Sequence, residues 1–241
     1  LMTSDQSLPR YAIYYAPSPQ SQLWALGSRW LGRDASTNEL FSSQPMTGFD
    51  EEKWRRFTEK PAHYGFHGTL TSPFELADTS QEKDLRDTAQ HFASTQAPFL
   101  LGLEVAALGE FIALRPSSPS SHINALHTEA VRRFFPFRAP LSSQDIERRR
   151  KAQLTPKQDA YMLEWGYPYI FDEFRFHMTL TARIADEQIR SETLSSLKRY
   201  FADVMASPQK IDGIALFKQD NRNTPFTLIE RYDFQPSSTS P

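Results

Sequence analysis

A short pattern that occurs twice constrains the fold of this chain more than any other feature of its sequence. It lies in the segments YGFHGTLTSPF (64–74) and FRFHMTLTARI (174–184), whose windows 64–71 and 174–181 agree at five of eight positions. Both segments are apolar and rich in aromatic and β-branched residues, so each is predicted to form a strand. Two copies of one strand predict a fold that is built from two related halves.

Side-chain alternation places the polar residues of each predicted strand on one face. Successive side chains of a strand point to opposite faces, so a polar residue at every second position forms a polar row. The apolar residues between them form the opposite face, which is predicted to be core. The polar rows are His67, Thr69 and Thr71 in the first copy and Arg175, His177, Thr179 and Thr181 in the second.

The predicted elements around the two copies follow one order. Each half runs strand, helix, His-Thr strand, helix and then one or two further strands. This order predicts an α+β fold, in which two pseudo-symmetric halves supply antiparallel sheets that line a central cleft. The predicted parts of this single bilobal domain (1–241) are a lobe at about 10–108 around His67, a lobe at about 109–234 around His177, and a loose tail at 235–241.

The segments between the first helix and the His-Thr strand are longer than a compact repeat needs. In the first half, 34–62 contains a predicted helix at about 50–60. In the second half, 138–168 is predicted to be a helical insertion, in which Ser142 or Ser143 caps one helix and Thr155-Pro156 opens another. Long excursions from a compact domain are usually covers or recognition elements, so we expect both to flank the cleft.

Charge and composition exclude several classes of protein. Lys and Arg number 27 against 29 for Asp and Glu, and the net charge of −2 argues against a large non-specific nucleic-acid footprint. The sequence has no cysteine, which excludes disulfides and thiolate metal sites. It also lacks a long apolar stretch and a basic-then-apolar leader, so we expect a cytoplasmic protein that does not insert into a membrane.

Two histidines in one cleft indicate acid–base chemistry. Histidine titrates near neutral pH, so one imidazole can accept a proton while the other donates one. Hydroxyls two residues further on, at Thr69 and Thr179, lie on the same face and can donate to phosphate oxygens. The arrangement suits work on a phosphate ester and requires neither a metal nor a cofactor.

The two motifs and the sequence around them resemble the 2H phosphoesterase superfamily, which is defined by two His-x-Thr/Ser motifs on paired lobes. Within it, the chain resembles the family of phosphonate-metabolism proteins that are encoded beside phosphonate-utilisation genes in many bacteria. The specific part of the resemblance is the run WGYPYIFDEFRFHMTLTARI (165–184), and RYAIYYAP (10–17), FRAPLS (137–142) and ALFKQ (215–219) extend it over most of the chain.

The resemblance implies metal-independent hydrolysis of a cyclic phosphodiester by two-histidine general acid–base catalysis. His67 and His177 would share the proton transfers, and Thr69 and Thr179 would hold the phosphate. The near symmetry of the halves leaves open which histidine is the base. Related proteins often carry Ala and Lys where this chain has Gly68 and Thr71, and a lysine would lie on the site face, so the charge of the substrate is open too.

Five further residues are candidates for contact with the substrate. Arg175 either meets phosphate or lies on the surface, and Tyr14 either projects into the cleft or belongs to the core. The remaining candidates are Thr71, Thr181 and Tyr64. Three other features have simpler interpretations. The run 148–150 of three arginines is a solvated face unless its helix folds over the cleft, His63 is a rim residue, and His127 is structural.

Three classes of function remain open. The favoured one is a cyclic phosphodiesterase acting on a small sugar or nucleotide cyclic phosphate, with RNA ends carrying a 2′,3′-cyclic phosphate as a less favoured substrate. A non-catalytic nucleotide or phosphate sensor on the same fold is the second, and a scaffolding protein is the third. The expected partner is a small phosphorylated substrate, and the chain is expected to be a monomer.

Overall fold

The computed structural model describes residues 8–235, and helices alternate with antiparallel strands along them. The predicted tail, apart from its first residue, lies outside the described residues. No helix between 8 and 235 combines the length and apolar character needed to cross a membrane. The strands are β1 Arg10–Tyr15, β2 Gly68–Glu75, β3 Phe99–Leu101, β4 Leu103–Leu108, β5 Phe111–Pro116, β6 Met178–Thr179, β7 Gln209–Ile211, β8 Gly213–Gln219 and β9 Thr227–Asp233. The helices are α1 Gln22–Leu31, α2 Glu51–Tyr64, α3 Glu82–Ser94, α4 Ser121–Phe134, α5 Ser143–Arg150, α6 Pro156–Trp165, α7 Glu187–Tyr200 and α8 Ala202–Met205.

Seven of the strands form one antiparallel sheet in the order β4-β5-β6-β2-β1-β8-β9, and β3 pairs with β7 in a separate ribbon. Helices α3, α4 and α7 pack against the large sheet. The predicted α+β class with antiparallel pairing is confirmed. The sheet is continuous, because β2 and β6 join its two parts at the single pair Gly68–Met178.

The strands of the sheet are exchanged between the two halves of the sequence. Strands β8 and β9 follow the second His-Thr motif, yet they pair on from β1 of the first half. Gly102 separates β3 from β4, and β4 pairs with β5 beside the second motif although it precedes residue 109. The two parts of the sheet therefore do not follow a division of the chain near residue 108.

Local capping chemistry sets the starts of the helices in the insertion. The hydroxyl of Ser142 accepts a hydrogen bond from Asp145 N (3.1 Å) and caps α5. Thr155 caps α6 in a reciprocal capping box with Gln158, and Pro156 occupies the first turn, where its missing N–H costs nothing. Both predicted caps of the insertion are confirmed.

The predicted strand over 174–184 is much shorter than expected, since only Met178–Thr179 has ladder pairing. The carbonyls of Asp172 and Phe174 accept hydrogen bonds from the Arg175 guanidinium, at 2.8 and 2.7 Å. Because these carbonyls bond to a side chain and not to a neighbouring strand, the segment before residue 178 runs irregularly beside the sheet. The alternation of the core still holds, with Phe176, Met178 and Leu180 buried.

Candidate active site

The strand register brings the two His-Thr motifs side by side. Gly68 pairs with Met178 in the antiparallel ladder, and one step on either side places His67 opposite Thr179 and Thr69 opposite His177. Directly opposed side chains share a face and have Cβ atoms about 5 Å apart. Each histidine therefore faces the threonine of the other motif, and the four predicted catalytic residues share one surface.

Each imidazole is held by a backbone carbonyl two residues before it. The Nδ1 of His67 lies 2.9 Å from the Gly65 carbonyl oxygen, and that of His177 lies 2.8 Å from the Arg175 carbonyl oxygen. A carbonyl only accepts, so in the neutral ring Nδ1 carries the proton and Nε2 is left unprotonated. For His67 the Thr69 hydroxyl donates to this Nε2 at 3.2 Å.

The two histidines differ in what covers them. The ring of Tyr14 stacks on His67, with centroids 3.8 Å apart and an angle of 20° between the planes. Tyr14 pairs with Thr69 in the sheet, whereas Ala113 pairs with Thr179 at the equivalent position beside His177. Alanine cannot cover the imidazole, and the ring of Phe111 from the same strand lies 5.6 Å from that of His177 but is tilted by 54° and does not stack on it.

Burial makes His67 a weak base. Desolvation lowers the pKa of His67 to about 4, partly offset by its hydrogen bond to the Gly65 carbonyl, and the nearby charge of His177 lowers it further. His67 is therefore neutral at physiological pH, with its Nε2 lone pair available. Among residues 8–235, no group of three His, Asp or Glu side chains is arranged to hold a metal ion.

A cavity of about 830 Å³ opens onto this surface, within the size range of small-molecule sites. Six of the nine predicted site residues line it, His177 and Arg175 line a smaller adjoining cavity of about 240 Å³, and Thr71 lines neither. Thr69 lines both cavities, so the two are neighbours. The predicted residues in the larger cavity are Tyr14, Tyr64, His67, Thr69, Thr179 and Thr181.

Two predicted substrate ligands have backbone partners instead. The hydroxyl of Thr71 accepts from Ile13 N at 3.2 Å, and that of Thr181 accepts from Ile112 N at 2.9 Å. Both threonines are buried, at 5% and 1% exposure. In each half the second threonine thus joins the His-Thr strand to its neighbour, which explains why a threonine suits position 71.

Arg175 is exposed, and its guanidinium bonds to backbone carbonyls of its own segment. It lines only the smaller cavity, beside His177. His127 has the structural role that was predicted: Phe171 N donates to its Nε2, and its Nδ1 donates to the Leu70 carbonyl. Burial lowers the pKa of His127 to about 4, so it is neutral.

The larger cavity also contains basic residues that were not among the predicted site residues. Arg10 lies on the Tyr14 face of β1, and alternation alone would have indicated it. Arg148 and Arg149 reach the cavity because α5 does fold over the cleft, contrary to the simpler prediction of a solvated face. Arg222 lies in the loop between β8 and β9, and nothing in its local sequence predicts that position.

The model of the family described as "Protein of unknown function (DUF1045)" matches residues 69–227 of the chain. Two curated relatives carry the name ribose 1,5-bisphosphate phosphokinase PhnN. The protein from Janthinobacterium sp. (strain Marseille) is 32% identical over 96% of this chain and 52% of its own length. The protein from Laribacter hongkongensis (strain HLHK9) is 35% identical over 91% and 50%. The chain therefore spans about half the length of the curated relatives it matches.

Solved structures with a related chain course include one described as a phosphoesterase, with a TM-score of 0.38 and 10% identity over 96% of this chain and 99% of that chain. Another is E. coli LigT complexed with NADP+, with a TM-score of 0.39 and 13% identity over 95% and 99%. These values are too low to bear on the activity of this chain.

Proposed function

The chain belongs to the DUF1045 family of proteins of unknown function, and we propose that it hydrolyses a cyclic phosphodiester by metal-independent, two-histidine acid–base catalysis. The observation that carries the proposal is the register of the Gly68–Met178 pair, which sets each histidine against the threonine of the other motif. No group beyond these four side chains is needed to transfer the protons and hold the phosphate.

His67 is assigned as the general base. Its Nε2 lone pair is available at neutral pH, because the Nδ1 proton is engaged by the Gly65 carbonyl and burial opposes a second proton. In the reaction Nε2 takes a proton from water as the water oxygen bonds to phosphorus. The Thr69 hydroxyl, which donates to Nε2 in the structure, turns to a non-bridging phosphate oxygen when the substrate is bound.

His177 is assigned as the general acid. It lies across the ladder from Thr69, and no stacked ring covers it from the position of Ala113. As the ester P–O bond of the cyclic phosphate breaks, Nε2 of the protonated His177 gives its proton to the leaving alkoxide. The products are a phosphate monoester and a hydroxyl on the same molecule, and the proton passes from His67 to His177 through solvent before the next turnover.

The names of the curated relatives favour a phosphorylated sugar as the substrate. Both are named for a kinase that acts on a ribose bisphosphate, and this chain corresponds to about half of each. Within the proposal, a reaction that opens a cyclic sugar phosphate would yield the kind of sugar phosphate that such a kinase handles.

The test is hydrolysis by the wild-type chain of a panel of cyclic phosphates, with EDTA present and ³¹P NMR as the readout. The panel holds ribose 1,2-cyclic phosphate, 2′,3′-cyclic nucleotides and RNA with 2′,3′-cyclic ends. Turnover of the sugar or nucleotide members is expected. Binding of a phosphorylated compound without turnover of any member would contradict the proposal and favour a sensor.

A further inference from the structure

We propose that the arginine-lined end of the larger cavity binds a second phosphate, so that the substrate is a cyclic phosphodiester that also carries a phosphate monoester. The inference rests on the proposed function for the reacting end of the substrate. It is carried by the charge of the cavity, by two arginines without carboxylate partners among residues 8–235, and by the position of one of them, Arg10, along β1 from the Tyr14 that stacks on His67.

The charge that lines the cavity has one sign. Six basic side chains and no carboxylate occur among the described residues that line it. Gathering cations in a recess costs solvation and mutual repulsion, which an anionic ligand offsets. The basic residues are Arg10, Lys60, Arg148, Arg149, Arg183 and Arg222.

Arg149 has a buried hydrogen-bond donor that no described residue satisfies. Its Nε is buried and has no hydrogen-bond partner among residues 8–235, and its guanidinium lies 5.2 Å from the ring of Tyr167. A buried donor without an acceptor is rare and calls for an explanation. The guanidinium also lines the cavity, and its planar fork matches phosphate geometry, so a phosphate bound in the cavity would compensate its charge.

Arg10 is the second arginine of this cavity that has no carboxylate partner among residues 8–235. It donates one hydrogen bond, from Nε to the Gln219 amide oxygen at 2.8 Å, and lies 5.2 Å from the ring of Phe226. Desolvation, and then repulsion by Arg222 and Arg148 among other charges, lowers the pKa of Arg10. Desolvation also lowers the pKa of Arg149. Burial is the largest cause of both shifts, and it opposes the charged form of each guanidinium.

Ion pairs to the neighbouring arginines hold this end of the cavity in place. Arg222 pairs with Glu75 of β2 at 2.8 Å and approaches Asp145 of α5 at 3.8 Å, and Asp145 also pairs with Arg148 at 2.6 Å. These contacts fix α5, none of whose residues is buried, beside the end of β2. The carboxylates thus position the helix, while Arg149 remains available for a ligand.

The distance between the two ends suits one small molecule. Arg10 and Tyr14 share a face of β1 with Cα atoms about 13 Å apart, and Tyr14 stacks on His67. The buried ring of Phe226 packs against both, 6.4 Å from the ring of Tyr14 and 5.2 Å from the guanidinium of Arg10. Long arginine side chains shorten the gap, so a sugar that bears a cyclic phosphate at one end and a monoester at the other spans it.

The test compares two substrates with the same reacting ring, ribose 1,2-cyclic phosphate with and without a 5-phosphate. For the wild type, kcat/KM should be higher for the phosphorylated member. In Arg149→Gln and, separately, in Arg10→Gln, the ratio of the two kcat/KM values should fall about 10- to 100-fold, the range for loss of a charge-assisted hydrogen bond. Arg150→Gln is the matched control, because Arg150 lies on the same helix, pairs with Asp159 and does not line the cavity.

A second measurement separates this inference from the proposed function. Ribose 5-phosphate, which has no cyclic phosphate to hydrolyse, should bind to the wild type in calorimetry. Arg149→Gln should weaken this binding, whereas Arg150→Gln should not. If it binds in this way but no cyclic phosphate is turned over, the subsite stands and the proposed hydrolysis fails. Equal kcat/KM for the two ribose substrates in the wild type would overturn the subsite and leave the hydrolysis intact. An equal effect of Arg149→Gln on RNA with a 2′,3′-cyclic end would overturn the assignment to a monoester.

Discussion

At the scale of single residues, one side chain accounts for the difference between two otherwise equivalent histidines. The hydrogen bond from Nδ1 to a carbonyl two residues before is the same in both motifs. The neighbouring strand differs, with Tyr14 opposite Thr69 and Ala113 opposite Thr179. A stacked ring over His67 and a more distant, tilted ring beside His177 distinguish the proposed base from the proposed acid on a nearly symmetric sheet.

The assignment of the base predicts the acid limb of the pH profile. Only the unprotonated His67 accepts a proton from water, and burial lowers its pKa to about 4. As the pH falls through this value, kcat/KM should decline about tenfold per pH unit, whereas an ordinary histidine would show the decline near 6.5. The measurement is kcat/KM against pH for the wild type and for Tyr14→Leu, which removes the stacked ring and should move the limb upward. A wild-type limb near 6.5 would argue against His67 as the base.

Thr69 is predicted to hold the phosphate through its hydroxyl. Thr69→Val keeps the shape of the side chain and removes the donor, so kcat should fall roughly 100-fold, as for the loss of one oxyanion donor. Thr69→Ser retains the hydroxyl and serves as the control. Similar kcat values for the valine and serine variants would show that the hydroxyl has no part in the transition state.

At the scale of elements, the close approach of β2 and the segment before β6 depends on a glycine. A Cβ at Gly68 would lie 2.5 Å from the ring of Phe176, which is itself buried at 4% exposure. The alanine that related proteins often carry at this position therefore does not fit here with phenylalanine at 176. The same close approach sets the two histidines across the Gly68–Met178 pair.

Gly68→Ala should accordingly destabilise the fold by about 1–3 kcal/mol, the usual cost of overpacking a core. Because the clash is with one ring, Gly68→Ala combined with Phe176→Leu should cost less than the sum of the two single changes. Urea unfolding of the four proteins measures both statements. Strict additivity of the free energies of unfolding would contradict the contact.

The sequence predicted the elements better than it predicted their docking. The caps at Ser142 and Thr155 depend on residues a few positions away, and they were read correctly. The placement of α5 depends on the contact of its Asp145 with Arg222, which is far away in the chain, so the local pattern of the arginines indicated only a solvated face. The shortness of β6 was not predicted, because strand propensity assumes that backbone carbonyls bond to a neighbouring strand. Here the Arg175 guanidinium donates to two carbonyls that lie before β6.

At the scale of the whole molecule, exchanged strands unite the two halves. The alternation of polar and apolar side chains in the His-Thr strands predicted their shared polar face. The order of the strands along the sequence, however, does not indicate that β8 pairs with β1 in the sheet. The outcome is one antiparallel sheet in which β1 lies between β2 of its own half and β8 from the far end of the chain. Neither half of the sequence completes its part of the sheet alone.

The exchange predicts that the first half does not fold by itself. A fragment of residues 8–108 would leave β1 unpaired along the edge that β8 covers, so its far-UV circular dichroism should lack a cooperative thermal transition. The full chain should unfold in one transition that coincides by circular dichroism and tryptophan fluorescence. Cooperative unfolding of the fragment, or two separate transitions in the full chain, would show independent lobes.

The most direct measurement of the central claim is the turnover of the best cyclic phosphate by the wild type, His67→Ala and His177→Ala, each with EDTA. His91→Ala is the matched control, because His91 is exposed on α3 and lies outside both cavities. The account predicts that EDTA has no effect, that each of the two site variants loses about 10²–10⁴ in kcat, and that the control retains the wild-type rate. Full activity in either site variant, or a rate that EDTA abolishes, would contradict two-histidine catalysis.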